Sequence, residues 1–293
     1  MLSCSIDRSI NEIYLDLPVE EVWNTLVTPQ GMNQFLTYKA EKSNPAQEIS
    51  KGDIFKLNYG DIENNSKVIE CTPKKSFTLS DHYESMTPDG TIEQFIVTTK
   101  FELNQKYDQT KLSLTVQGYR KNLQDQWLRE CLELGWRRSL INLKSVLELG
   151  MDLRTSLFTY PRLGVTNCSN HLISPEGIEG NYIMHVFPNS PAEKAGLIEG
   201  DVVTNIGDSK TASHQDFVVA ISHFQHSTDH VPLTYIRENQ SYCIELPLST
   251  HEIFTGQINS KHTTMEEEQK RREALAKQRS GAGSMWARKN SNE

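Results

Sequence analysis

Alternating apolar residues over the first 120 positions, followed by one long amphipathic segment, constrain the fold of this chain more than any other feature. Ile13, Leu15 and Leu17 alternate with polar residues, which is the pattern of a half-buried strand. The alternation recurs in short runs as far as Val116, and the short spacings between them favour hairpins of an antiparallel sheet. A helical segment then runs from about residue 123 to 149. A curved sheet with one apolar face needs such a helix as its cover.

The inward positions of these strands and of the long helix predict the interior of a first unit. Pro18 suits the first turn of a short helix, and a second short helix is expected through Phe35. Cys131 lies in the apolar part of the long helix, which indicates a core filler rather than a reactive thiol. The residues expected to line the space between sheet and helix are Trp23, Phe55, Leu57, Phe77, Phe95, Val97, Leu114, Trp127 and Cys131.

The order of strand, two short helices, several strands and one long helix resembles the SRPBCC/START superfamily. The segments Pro18 to Trp23 and Trp136 to Lys144 add to the resemblance, and the most similar branch is that of the homologues of the heat-shock-protein ATPase activator. The resemblance covers residues 1–150. It implies a helix-grip fold, in which a curved antiparallel sheet grips the C-terminal helix, and a cavity that often holds an apolar ligand.

A second unit is predicted from a Ser-Pro-Ala…Ala-Gly-Leu…Gly-Asp series. Ser190 can cap a short helix that Pro191 opens. Gly196 can end this helix in the left-handed conformation, and Gly200-Asp201 has turn chemistry before a buried strand. The series resembles a PDZ domain over about residues 155–250 and is similar to the PDZ domains of bacterial trypsin-like periplasmic proteases. Its residues build the fold and specify no ligand by themselves.

The PDZ resemblance implies that an extended C-terminal peptide pairs with a sheet edge while its carboxylate lies on the amides of a tight loop. The matching loop is Leu163-Gly164-Val165, for which a strand start with a packing glycine is the alternative. His214 matches the helix position that bonds a ligand hydroxyl in the Ser/Thr-selecting class, and a solvated histidine is the alternative. The predicted peptide-binding residues are Arg162, Leu163, Gly164, Val165, His214, Val218 and Ile221.

Charge and composition exclude several classes of function. The net charge is −8, and residues 1–150 and 151–260 each carry more acidic than basic side chains, so nucleic acid is a poor partner. No apolar run approaches the ~20 residues that span a bilayer. The five cysteines contain no C-x-x-C motif, which fits a reducing cytoplasm. The histidines at 223, 226 and 230 match no common zinc spacing, so we expect neither a metal nor a cofactor.

The chain shows no catalytic constellation, because G-x-S-x-G, H-E-x-x-H and P-loop motifs are all missing. Asp81, His82 and Glu84 can be imagined as an acid–base set, but we expect them on a solvated strand face.

Paired charges four residues apart indicate a charged helix beyond Lys261, although a partly disordered extension is the favoured alternative.

These observations predict an α+β protein of three parts: a helix-grip domain over 1–150, a small PDZ β-sandwich over 151–255, and a charged helical or disordered tail over 256–293. The functional hypothesis is a cytoplasmic, non-catalytic two-module binding protein. The PDZ domain recruits a partner by its C-terminal peptide, and the helix-grip domain binds a small apolar ligand or a client. The alternatives are a co-chaperone-like ATPase regulator and an enzyme that acts on a small apolar ligand, whose signature is a buried ionisable pair.

Overall fold

The computed structural model describes residues 7–59, 63–170, 177–224, 230–249 and 257–258, together with 267 and 270. The chain divides into two compact units, Met1–Glu84 with Gln94–Phe158, and Ser85–Glu93 with Thr159–Glu293. The α+β prediction is confirmed, since each of two sheets is accompanied by helices. The predicted tail lies outside the described residues except at four positions. Within the described part of the chain, no helix is both long and apolar enough to cross a membrane.

The first sheet has the strand order β1-β7-β6-β5-β4-β3-β2. Its strands are β1 (Arg8–Leu15), β2 (Lys39–Lys42), β3 (Ile54–Asn58), β4 (Glu63–Thr72), β5 (Ser76–Met86), β6 (Ile92–Lys106) and β7 (Gln109–Gln117). The accompanying helices are α1 (Val19–Val27), α2 (Pro29–Phe35), α3 (Leu123–Leu149) and α4 (Arg154–Phe158). The long helix α3 lies against β1, as a helix-grip fold requires.

Local signals account for the ends of the helices. The Asn122 side chain accepts a hydrogen bond from the Asp125 amide at 2.8 Å and caps the beginning of α3. Gly150 ends α3 with a φ of +67°, a left-handed conformation that favours glycine.

Gly31 of α2 approaches α1 so closely that a Cβ atom would lie 2.4 Å from the Thr25 backbone. Only glycine therefore permits this packing of the two short helices.

Aromatic side chains form much of the interior between sheet and helix. Trp23 meets Phe77 edge-on at 5.7 Å between ring centroids, and Phe77 stacks on Phe101 at 4.5 Å. The Phe95 and Trp127 rings lie 6.3 Å apart. All the residues predicted to line this space are buried except Cys131, which is partly exposed. The lining thus packs partly on its own members, and its contact with a ligand stays a prediction.

The second sheet has the order β13-β12-β10-β9-β8, with β11 paired to β10. Its strands are β8 (Val165–Ser169), β9 (Asn181–Val186), β10 (Val202–Ile206), β11 (Ser209–Lys210), β12 (Val231–Arg237) and β13 (Gln240–Leu246). The remaining elements of this unit are α5 (Pro191–Lys194), α6 (His214–Ser222) and β14 (Gln257–Ile258). Strand β8 therefore lies at one edge of the sheet.

The motif of the second unit folds as its residue types predict. Ser190 Oγ accepts a hydrogen bond from the Glu193 amide at 3.0 Å, and Gly196 has a φ of +79°. Asp201 has a role beyond its turn. Its fully buried carboxylate binds the Arg237 guanidinium through two contacts of 2.7 Å and accepts a hydrogen bond from the Ile198 amide. The motif thus anchors β12 to the α5–β10 turn.

The prediction that Asp81 lies on a solvated strand face was wrong. Along β5, Phe77, Leu79, Asp81 and Tyr83 occupy alternate positions and are all buried, whereas His82 between them is exposed. Side chains alternate between the two faces of a strand, so Asp81 occupies an inward position. Because aspartate is polar, a pattern of apolar residues does not indicate this position as buried.

Candidate functional site

The loop that precedes β8 directs its amides away from the protein's own acceptors. Its carbonyl groups are engaged, because the Ala192 amide donates to Leu163 O and the Phe187 amide donates to Gly164 O, both at 2.9 Å. Among the described residues, the amides of Leu163 and Gly164 find no acceptor. Gly164 has a φ of +82°, which glycine adopts without strain. Consecutive amides in such a turn form a concavity that suits an anion.

The adjoining strand continues this exposed row of hydrogen-bonding groups. Val165 pairs with Val186 of β9, and the bond from Phe187 to Gly164 makes them a non-hydrogen-bonded pair. The N–H and C=O groups of Val165 therefore point to the outer side of β8. No strand within the described ranges pairs with that side. An extended peptide that adds to this edge would begin its pairing at Val165.

Helix α6 lies against this strand, with its first turn near the end of β8. The amide of His214 donates to Ser169 Oγ at 2.9 Å. Ser213 and Asp216 form a capping box that sets the direction of the helix. Val218 and Ile221 follow His214 by about one and two turns, and all three are buried. The structure brings the predicted helix residues to the same edge as the loop, and their contact with a peptide stays a prediction.

Arg162 is held in place one residue before the loop. Its backbone pairs with that of Ser249, whose amide donates to Arg162 O at 2.9 Å. Its guanidinium lies over the Tyr160 ring, 4.0 Å from the ring centroid. The cation is thus fixed by stacking, which keeps a positive charge in the segment that leads into Leu163.

A row of polar side chains that was not predicted from the sequence crosses the inner face of the first sheet. In the register of the strands, Ser9 and Thr99 are both paired with Val116, while Ser66 is paired with Asp81. A hydrogen bond from Thr99 to Asp81 joins the two halves of the row. The signal was available, because the alternation that starts at Phe77 reaches Asp81.

Asp81 is the centre of this polar row. Its carboxylate accepts hydrogen bonds from Thr99 Oγ1 at 2.5 Å, from Asn64 Nδ2 at 3.1 Å and from Ser66 Oγ. Burial raises the pKa of Asp81, and the three hydrogen bonds lower it without offsetting burial. Burial likewise raises the pKa of Tyr83, and the Asp81 charge raises it further.

The first turns of α3 carry further buried charges. Arg129 and Glu130 form an ion pair of 3.4 Å, and Arg129 also contacts Glu133 at 3.3 Å. Gln126 Nε2 donates to Glu130 at 3.1 Å. A buried ionisable pair is the feature that the enzyme alternative requires. Here the two partners are neighbours on one helix and bond each other, so the pair by itself defines no reaction.

The described part of the chain contains no group of three or more His, Cys, Asp or Glu side chains that could hold a metal ion. Residues 225–229, the centre of the histidine-containing stretch, lie outside the described residues.

Family comparisons divide the chain as the two units suggest. Residues 16–148 match the family described as Activator of Hsp90 ATPase homolog 1-like protein, and residues 161–248 match the PDZ domain. The predicted order of a helix-grip domain of the ATPase-activator branch followed by a PDZ domain is confirmed.

Individual relatives match parts of the chain. The Serine protease Do-like HtrA of Lactococcus lactis subsp. lactis (strain IL1403) is 35% identical over 86 residues, which is 29% of this chain and 21% of the protease. The chain spans between 10% and 24% of the length of the curated relatives that it matches.

Two solved structures each match part of the chain. The solution structure of the Aha1 dimer of Colwellia psychrerythraea matches with a TM-score of 0.39 and 18% identity. The match covers 49% of this chain and 97% of the chain in that structure. The HtrA3 PDZ domain bound to the phage-derived ligand FGRWV has a TM-score of 0.27 and 18% identity and covers 30% of this chain and 85% of its own.

Proposed function

Because the chain joins an ATPase-activator-like helix-grip domain to a PDZ domain, we propose that it is a non-catalytic two-module binding protein. The PDZ domain recruits a partner through the partner's C-terminal peptide, and the helix-grip domain binds a small apolar ligand or a client. The observation that carries the first part is that the amides of Leu163 and Gly164, beside the outer edge of β8, find no acceptor among the described residues.

The chemistry of the loop and helix defines the peptide that we expect. Its carboxylate lies on the Leu163 and Gly164 amides, and its last side chain is apolar, because Leu163 and Ile221 are apolar and buried at this edge. A Ser or Thr two residues before the C-terminus is expected if His214 bonds the ligand hydroxyl. Few residues are buried in such a complex, so the expected Kd is about 1–100 μM.

Fluorescence polarisation with the full-length protein and a library of labelled C-terminal peptides tests this proposal. Each binding peptide is compared with the same peptide carrying a C-terminal amide, which removes the charge and keeps the side chains. Gly164→Val is expected to abolish binding, because the side chain obstructs the loop. Gly90→Val is the matched control, since the φ values of Gly90 and Gly164 are +86° and +82°. The proposal fails if the amidated peptides bind equally well or if both variants behave alike.

A co-chaperone-like regulator is the second candidate, and the match of residues 16–148 to the ATPase-activator family favours it. The measurement is the ATPase rate of an Hsp90-type chaperone with and without the full-length protein. Stimulation supports this candidate, and an unchanged rate at saturating protein rejects it.

We also propose a cytoplasmic location. Among the described residues, Cys71, Cys131, Cys168 and Cys243 form no disulfide, and a reducing compartment keeps cysteines in the thiol form. Cell fractionation with an antibody against the chain tests the location.

A further inference from the structure

Two buried polar residues of the second unit, Ser169 and Asn181, connect the sheet to the beginning of α6. Ser169 is the last residue of β8, Asn181 is the first residue of β9, and the two are paired in the register of the strands. Directly paired residues project their side chains from the same face of a sheet. Ser169 is 2% exposed and Asn181 is 0% exposed, so neither side chain is available to a partner. Their hydrogen bonds are therefore made inside the unit.

The Asn181 side chain holds the segment that leads into α6. Its Nδ2 donates to Thr211 O at 2.7 Å and to Ser213 O at 2.9 Å. Its Oδ1 accepts from Asn167 Nδ2 of β8 at 2.8 Å. Because the two backbone carbonyl groups can only accept, they fix the orientation of the Asn181 amide. One buried side chain thus joins β8, β9 and the start of the helix.

Ser169 adds a direct bond from β8 to the first residue of α6, since its Oγ accepts from the His214 amide at 2.9 Å. The amides of the first turn of a helix have no partner within the helix, so this bond stabilises the helix start. Farther along α6, Phe217 and Val218 are buried and apolar, and apolar packing is non-directional. The hydrogen bonds at its beginning therefore determine where the helix lies relative to β8.

The peptide of the proposed function passes this end of the groove. It begins its pairing at Val165, and the outward-directed groups of a strand recur every two residues, so the peptide residue two before the C-terminus lies opposite Asn167. The bulge between β8 and β9 leaves this spacing unchanged, because the extra residue, Met184, lies in β9. Asn181 binds Asn167 and also the segment before His214. The same side chain thus sets the position of the strand and that of the helix at this peptide residue.

We propose that Ser169 and Asn181 are positioning residues for peptide recognition, which place His214 so that it bonds a Ser or Thr hydroxyl two residues before the peptide's C-terminus. They act through the backbone at the start of α6 and do not touch the peptide. The proposal rests on the peptide-binding half of the proposed function and adds the residues that set its selectivity.

The test measures the ratio of two affinities, because a partial loss of folded protein changes both affinities equally and leaves their ratio unchanged. Fluorescence polarisation with the full-length protein compares labelled peptides that end in Ala-Thr-Ala-Val and in Ala-Val-Ala-Val, which differ only by a hydroxyl in place of a methyl group. One hydrogen bond makes the expected preference of the unsubstituted protein for the threonine peptide about 3- to 10-fold. Ser169→Ala and Asn181→Ala are each expected to reduce this preference to about twofold or less.

A conservative variant and a matched control separate positioning from stability. Ser169→Thr is expected to retain the preference, because it keeps a hydroxyl that can accept from the His214 amide, and threonine suits a strand. Arg237→Lys is the control, since it is expected to destabilise the same unit and leave the preference unchanged. The Arg237 guanidinium binds Asp201 and Gly196 O and none of the groups that hold the start of α6.

Each outcome decides the proposal. An unchanged ratio in both alanine variants, or an equal fall of the ratio in Arg237→Lys, overturns it and leaves peptide recruitment in place. Equal binding of the two peptides by the unsubstituted protein also overturns it, because His214 then selects no hydroxyl. If neither peptide binds while other C-terminal peptides of the library do, the proposal fails and recruitment stands. If no C-terminal peptide binds, recruitment fails as well.

Discussion

Substitution of Asp81 by asparagine and by alanine separates its charge from its hydrogen bonds. Asparagine keeps a carbonyl oxygen that accepts from Asn64 and Ser66, and its amide can donate to Thr99 once that hydroxyl turns. Alanine leaves the Ser66 and Thr99 hydroxyls without their acceptor. Asn64 keeps one partner in either variant, because its Nδ2 also donates to Ser66 Oγ at 3.1 Å.

The expected magnitude follows from these contacts. Each buried hydroxyl that loses its acceptor costs ~1–3 kcal/mol, and release of the buried charge offsets part of the loss. We therefore expect the free energy of unfolding to fall by about 2–4 kcal/mol in Asp81→Ala at pH 7. In Asp81→Asn the free energy of unfolding stays within about 1 kcal/mol of the wild-type value or rises, because the buried negative charge is removed and the hydrogen bonds remain.

The pH dependence has a definite sign. Burial raises the pKa of Asp81 in the folded state above its unfolded value of about 3.9. The folded wild type therefore holds this proton more tightly than the unfolded chain does. Relative to Asp81→Asn, the wild type must lose stability as the pH rises from about 3.9 through the raised pKa, and the difference is constant above it.

Urea unfolding followed by tryptophan fluorescence measures both effects. In a Trp286→Phe background, the remaining tryptophans are Trp23, Trp127 and Trp136, which all belong to the first unit. With a urea m-value of ~1–3 kcal/mol/M, the alanine variant is expected to unfold at a midpoint roughly 1–2 M lower. These expectations are contradicted if Asp81→Asn lowers the free energy of unfolding as much as Asp81→Ala does. They are also contradicted if the stability of the wild type rises relative to that of Asp81→Asn as the pH rises.

Other substitutions give equally direct expectations in urea unfolding of the full chain. Gly31→Ala is expected to destabilise the first unit by about 1–3 kcal/mol, because its Cβ would overlap the Thr25 backbone. Gly135→Ala, in α3 with nothing within 4 Å of the new Cβ, is expected to stabilise it by ~0.8–1 kcal/mol. Arg237→Lys removes the paired contacts to the buried Asp201 and is expected to destabilise the second unit by about 1–3 kcal/mol, observed by near-ultraviolet circular dichroism.

The helices α1, α2 and α3 could be predicted from the sequence because their signals are local, whereas α4 was not predicted. The amphipathic stripe over residues 123–149 and the Asn and Gly at its ends specify α3 within the segment itself. In β5 the apolar alternation covers only Phe77 and Leu79, whereas the strand spans Ser76–Met86. The inward position at Asp81 is polar, so the alternation of apolar residues alone could not predict the full length of this strand.

The candidate sites depended on the tertiary structure to different degrees. The PDZ resemblance of the sequence indicated the glycine loop before β8 and the histidine at the start of α6. Only the fold showed that the carbonyl groups of this loop accept from Phe187 and Ala192, more than twenty residues away, while its amides at Leu163 and Gly164 find no acceptor in the described part of the chain.

The amino-acid sequence by itself determined the order of the elements, the turns and the two domain types, because periodicity, capping and glycine chemistry act over a few neighbouring residues. The tertiary structure decided where charge is buried and what bonds it. Asp81 acquires its bonds from β4 and β6, and Asn11 of β1 reaches the Glu133 carbonyl of α3 only after the sheet packs on that helix. Burial and hydrogen-bond pairing are set by residues distant in the chain, so no local pattern contains them.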